Sequence, residues 1–286
     1  MGAWLEIAAK VLAYGAVLLT FGCAVTRLLL LPRVVPQGTA QADDAVRRLA
    51  ATQVAAAGVL LLALALRAFG HTVAAFELPD ALSIENLRII ALESRWGEGW
   101  RQQVLASMLL LGCALWTWLD RGAIAAVATG AVAAAVCVEL ARTGHAATLP
   151  WGWLLHGTHM AAAGAWAGAI AGVLALSTAS TRSLRPALLE AFAPVAMVSV
   201  ALVALTGAIA GWHYVGAVSN LVTTRYGITL LVKLSAVLDM LVLGGLNWKR
   251  LRAGGPAAVP PTVWAELGAA IGVVLVTGLL TETEHP

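Results

Sequence analysis

Long apolar stretches separated by short polar breaks dominate the chain. Their pattern predicts eight helices over residues 3–31, 46–69, 99–119, 122–142, 151–177, 186–213, 221–248 and 262–281. A bilayer crossing takes about 20 apolar residues, so each helix qualifies as a span. Pro32 and Pro36 are expected to close the first helix, and Asp120-Arg121-Gly122 to form a tight link between the third and fourth. Pro186 opens the sixth at a first-turn position, where a missing N–H costs little. Gly254-Gly255-Pro256 and Pro260-Pro261 form the last connection. The fourth span, from Ala123 to Val138, is mostly Ala and Val. Small residues let helix backbones approach closely, which places that span inside the bundle. In the one sizeable loop, 70–98, the apolar residues between Ala81 and Leu92 recur at helical spacing with charges between them. That predicts a short amphipathic helix, lying on the membrane surface or capping the bundle as a solvated helix.

Composition agrees. Of 286 residues, 60% are hydrophobic and only 12% charged, against about 25% charged in a soluble domain. This excludes a soluble enzyme, a disordered chain and a nucleic-acid binder. The expected architecture is an all-α polytopic bundle forming one integral membrane domain over 1–286. The apolar run Val11–Leu31 exceeds the usual 7–15 residues or so of a signal-peptide core, so no cleaved leader is expected. Cys23, Cys113 and Cys137 all fall in apolar runs without a CxxC pair, so neither a disulfide framework nor a zinc knuckle is signalled. No nucleophile–base pair or phosphate-binding loop stands out, and no enzymatic chemistry is expected.

The net charge of +3 sets orientation rather than a polyanion partner. With both termini outside, the inward loops and span ends carry ten Arg and Lys residues and the outward side six, with most loop acids outward. The positive-inside rule then puts both termini on the periplasmic side. Ten of eleven tryptophans fall near predicted span ends, as an interfacial belt requires, and only Trp166 lies mid-span.

All six histidines map to the outward side: His71 after the second span, His145 after the fourth, His156 and His159 in the first turns of the fifth, His213 ending the sixth, and His285 at the tail. Imidazole suits copper, zinc, iron and nickel. His156 and His159, three apart, share one helix face. The competing reading for each histidine is a helix-to-helix hydrogen bond or an interfacial polar group, and His71 and His285 are the weakest candidates. Among other polar residues at membrane depth, Glu6 and Lys10 are spaced to pair with each other, and Lys233 and Asp239 need separate partners, an ion pair being expected for Lys233. Glu139 is a candidate to orient a histidine. Met160 and Met197 are candidate soft ligands on a copper path, whereas Met108, Met240 and Cys137 read as packing.

Several motifs then combine. Thr143-Gly144-His145-Ala146-Ala147, and His159 followed by Trp166 and Gly168, resemble the Gly-His-Ala and His-x6-Trp-x-Gly pattern of the copper resistance protein D family. Phe192-Ala193-Pro194-Val195-Ala196 with Thr206-Gly207 resembles that family's sixth helix. Tyr226-Gly227-Ile228-Thr229-Leu230-Leu231-Val232-Lys233-Leu234 and Asn247-Trp248-Lys249-Arg250 resemble its Tyr-Gly-x-x-Leu-x-x-Lys-Leu and Asn-x-x-Arg motifs. The likeness covers about 140–285 well, while Leu12-Ala13-Tyr14-Gly15 and Gly22 fit more loosely. The chain departs from the pattern at His156, where an acidic residue is expected. The resemblance implies an eight-helix bacterial inner-membrane protein that takes up or handles copper, with a separate small periplasmic copper-binding partner of the copper resistance C type. His145 and His159 match the family histidines.

The leading expectation is therefore a copper transporter. It would capture Cu(I) or Cu(II) near the outer leaflet with His145, His159, His156 and His213, and pass it inward; Glu139, Met160, Met197, Lys233 and Trp166 would support the path. No inward histidine exists, so the exit would use Met, Cys23, carbonyls or water. Two alternatives stay open: a single-haem, b561-like electron carrier, and a delivery or assembly factor that does not transport copper.

Overall fold

The computed structural model describes residues 2–76, 78–142, 151–253, 261–284 and 286. These residues are almost all helical, with no strand among them. Eight helices are long and apolar enough to cross a membrane: α1 (Trp4–Val34), α2 (Ala40–Ala75), α3 (Arg95–Asp120), α4 (Ala123–Ala141), α5 (Gly152–Ala175), α6 (Arg185–Val215), α7 (Arg225–Arg252) and α8 (Pro261–Leu280). The chain alternates direction, so the ends of α2, α4 and α6 share one face of the bundle with both termini. The α1–α2, α3–α4, α5–α6 and α7–α8 connections lie on the opposite face.

Several boundaries differ from those predicted: α1 and α2 reach further, whereas α4 and α5 are slightly shorter. α1 runs through Pro32 because Thr26–Leu30 forms a π turn. There the Leu31 N–H bonds the Thr26 carbonyl one residue further back than in an α-helix, giving the proline ring room without ending the helix. α2 begins at Ala40, where the Thr39 hydroxyl accepts from the Ala42 N–H as a cap. Between α2 and α3 the amphipathic stretch forms short turns, Leu78–Ala81, Ile84–Arg88 and a π turn at Ile89–Glu93. Leu82 and Ile84 are exposed while Ile90 is buried.

α1, rather than α4, is the axis of the bundle. It packs against α2, α4, α5 and α8, and is the most buried span. The tightest crossing is with α5. A Cβ on Gly22 would sit 1.9 Å from the Gly168 carbonyl carbon, and one on Gly168 would sit 2.0 Å from the Leu18 carbonyl oxygen. Only glycine permits this backbone-to-backbone approach, the usual adhesive of helices that gain nothing from leaving lipid. α4 turns its small side chains, Ala125, Ala126, Gly130 and Ala133, inward but exposes Ile124 and Val127. Cys23 and Cys137 are both buried as small core residues.

Polar groups at membrane depth bind between helices. Arg27 donates from α1 to the carbonyls of Arg121 and Gly122. These close the α3–α4 link, where Arg121 takes the left-handed conformation with φ 57°. Gln53 Nε2 on α2 reaches the Thr20 carbonyl of α1 at 3.2 Å. Glu6 and Lys10 do not pair with each other. Glu6 lies 3.7 Å from Arg67 and 3.8 Å from His71, and Lys10 pairs with Glu282 beyond α8. Each finds its partner in a tertiary neighbour rather than in the next helical turn. Arg67 continues to Gln103 Oε1 at 3.0 Å, and Gln103 Nε2 to the Glu139 carbonyl at 3.0 Å, tying α1 through α4 together.

Candidate functional site

The site forms where α5, α6 and α7 meet toward the face that carries the termini. A small apolar cluster of Tyr214, Val215, Tyr226 and Leu280 supports it. α6 ends there with Gly216 at φ +69°, and Asn220 Nδ2 caps it by donating to the Val215 carbonyl at 2.9 Å. The turn Asn220–Thr223 then packs on the start of α7 so closely that a Cβ on Gly227 would fall 2.1 Å from the Asn220 carbonyl. That contact explains the glycine after Tyr226 and holds the buried tyrosine in place.

His156 and His159 project from α5 toward α6. His156 Nε2 lies 3.2 Å from the Tyr214 hydroxyl. His213 meets the same tyrosine edge-on, with ring centroids 5.0 Å apart. His159 Nδ1 lies 2.8 Å from Thr206 Oγ1, and its ring rests on Gly207, where a Cβ would come within 3.4 Å of it. Thr206 Oγ1 is also 2.5 Å from the Leu202 carbonyl. Two oxygens that close need a proton between them, and the hydroxyl has only one. Thr206 therefore donates to Leu202 and accepts from His159 Nδ1–H. This fixes the tautomer and leaves the His159 Nε2 lone pair unprotonated, as a metal ligand requires.

Lys233 of α7 is half-buried. Contrary to expectation, Lys233 forms no ion pair among the described residues. Asp239 does not serve it, because Asp239 is exposed on another face of α7. His71 is not a solvated loop residue. It stands within α2, stacked on Trp96 at 4.2 Å and beside Glu6, in the network joining α1, α2 and α3. Glu139 pairs with Arg142 at 3.2 Å. Met160 packs partly buried against the core of α1 to α4. His145 and His285 lie outside the described residues. Among the described residues, no three His, Cys, Asp or Glu side chains gather as metal ligands. His156, His159 and His213 thus come together with Tyr214 and Thr206, not as a ready-made coordination sphere.

A second polar group, which the pattern of histidines did not disclose, lies toward the opposite face. Glu266 of α8 is 4% exposed. It accepts from Asn247 Nδ2 at 2.9 Å and lines the same cavity as the buried Trp166, which lies in the π turn Gly164–Gly168 of α5. That cavity, of about 300 Å³, lies among α5, α6, α7 and α8 and is also lined by Met197 and Met240. The sequence signal was a lone acid within an apolar span, at the position Trp264-Ala265-Glu266-Leu267.

Fold and site define a multi-pass α-helical membrane protein with an imidazole-rich patch at one end. The profile described as Copper resistance protein D matches residues 186–280, and that described as Copper resistance protein D-like, N-terminal domain, matches residues 1–153. The chain belongs to the copper resistance protein D family. The half that resembled the family loosely is thus matched as well, while His156, His159 and Trp166 fall between the two matched segments. No curated protein and no solved structure matches the chain.

Proposed function

We propose that the chain carries copper across the bacterial inner membrane, capturing it at the α5–α6 histidine patch and releasing it on the opposite face. Family membership supports a copper-resistance role. The observation that carries the capture step is His159: its Nδ1 is held by Thr206, which makes Nε2 the candidate ligand nitrogen, with His156 one turn away on the same helix. Imidazole with or without a second imidazole suits Cu(I) or Cu(II). Both termini and the patch face the periplasm in this reading. A small periplasmic copper-binding protein of the copper resistance C type then hands copper to it, with His213 at the rim. The chain makes and breaks metal–ligand bonds only, with no enzymatic turnover.

Purified protein titrated with Cu(I), together with copper accumulation in cells, tests this. His159→Ala is expected to remove one copper equivalent and to abolish the effect of expression on cellular copper. A Soret band with stoichiometric iron would favour the haem carrier instead. Unchanged binding and unchanged cellular copper in His156→Ala and His159→Ala would end the capture proposal.

A further inference from the structure

The cavity among α5, α6, α7 and α8 has the make-up of a pocket for a small lipophilic molecule. Its volume of about 300 Å³ stands at the lower end of the range for such pockets, roughly 300–1,000 Å³. Three aromatic side chains, Trp166, Phe192 and Trp248, and two adaptable thioethers, Met197 and Met240, supply much of an apolar wall. Along α7 the lining runs from Met240 to Leu251, about 16 Å at 1.5 Å per residue and roughly half of a 30 Å hydrocarbon core. α6 and α7, the two least buried spans, bound the cavity, and the exposed Met197 and Leu241 stand at its edge. Its mouth therefore opens to lipid, and what enters comes dissolved in the membrane.

One polar pair interrupts this wall. Asn247 and Glu266 are each 4% exposed and lie about 8 Å inside the ends of their helices. Arg250 Nη1–H donates to Thr262 Oγ1 at 2.9 Å, and the Thr262 oxygen stands 2.5 Å from Asn247 Oδ1. Thr262 has one proton and gives it to Asn247, which fixes the amide with its nitrogen toward Glu266. Asn247 Nδ2 then donates one N–H to Glu266 Oε2 at 2.9 Å. An amide nitrogen carries two. The second meets no acceptor among the described residues, at a depth where an unmet donor is costly and beside a cavity rather than packed side chains.

The molecule that fits brings an acceptor oxygen to this depth with apolar surface around it. A phospholipid keeps its phosphate and ester groups at the interface and offers only alkyl chain here. A carbonyl on a lipophilic ring offers both, and a flat ring stacks on aromatic walls. We propose that the cavity binds a lipophilic quinone from the membrane. One ring carbonyl accepts from Asn247 Nδ2, the ring lies among Trp166, Phe192 and Trp248, and Thr262 and Glu266 position the amide. The site goes beyond copper capture and does not depend on it, since the histidine patch lies toward the other face.

The full chain in detergent micelles, titrated with a short-chain benzoquinone, tests this, because quinones quench indole fluorescence. The parent is expected to show a saturable component beyond the quenching of a free tryptophan derivative in the same micelles. Ala196→Phe and Gly245→Leu add bulk to the lining from α6 and α7, and nothing stands within 4 Å of a Cβ at Gly245, so that substitution leaves the fold intact. Each is expected to weaken the saturable component roughly tenfold or more, as is Asn247→Leu, which removes the donor. If Asn247→Leu does not fold, the two filling variants decide. Quenching without saturation, or alike in the parent and both filling variants, overturns the proposal. Filling variants that copurify with less phospholipid than the parent while quinone quenching stays unchanged identify an alkyl chain as the occupant, and overturn it as well.

Discussion

The two halves of this bundle are held together differently. In the best apolar window of α1, 61% of residues are buried, against 11% in α7. α1 is rich in Gly, Ala and Thr on its packed side, crosses α5 backbone to backbone, and is tied by Thr20 and Glu6 to α2 and by Arg27 to the α3–α4 link. α7 touches chiefly α6 and α8, and turns Leu234, Leu238 and Val242 outward. Where lipid is as apolar as leucine, close small-residue packing and interhelical hydrogen bonds do the holding. The tightly packed α1–α5 unit is the frame. The candidate histidine patch, by contrast, lies where α5 of that frame meets the sparsely packed α6 and α7.

If this contrast is right, mutations should rank by it. The largest effect is expected at the α1–α5 crossing. Gly168→Val puts a Cβ 2.0 Å from the Leu18 carbonyl, forces the helices apart and costs more than about 4 kcal/mol. The readout is loss of a monodisperse peak after detergent extraction. Next is Arg67→Ala, which strands Glu6 and Gln103 and lowers stability by about 3 kcal/mol, seen as a lower thermal midpoint. Asn247→Ala leaves the buried Glu266 one donor short and costs about 1–3 kcal/mol by the same assay. Thr206→Val removes the acceptor that fixes the His159 tautomer. It should cost only about 1 kcal/mol of stability but weaken Cu(I) binding at the patch roughly tenfold or more, measured by chelator competition. Smallest is Leu238→Ala on the outer face of α7, expected within about 0.5 kcal/mol of the parent. A Leu238→Ala protein as damaged as Gly168→Val would dissolve the distinction between frame and periphery.

Much of the fold was legible because hydrophobic period and length are local properties. Eight spans, the Asp120-Arg121-Gly122 link and the inward small stripe of α4 follow from residues close in sequence. Partners of polar groups were not legible. Helical spacing suggested that Glu6 and Lys10 pair, yet each finds a charge from another helix, because interhelical distances do not follow from sequence separation. The four histidines among the described residues, His71, His156, His159 and His213, do lie toward one end, since chain direction alternates with each span. Their partition was not legible: His71 belongs with Trp96 and Glu6, whereas His156 and His213 flank Tyr214.

By itself, then, the sequence determined that this chain lives in a membrane, how often it crosses, which family it resembles and which end collects imidazoles. Those facts depend on composition and on spacings of a few residues, which the bilayer's thickness converts directly into structure. Only the tertiary structure decided that α1 is the axis, that Thr206 fixes the His159 tautomer, and that Asn247, held by Thr262, meets Glu266 beside the apolar cavity that Trp166 lines. Each of these depends on contacts between helices far apart in the chain, set by where small residues allow close approach and where large ones do not.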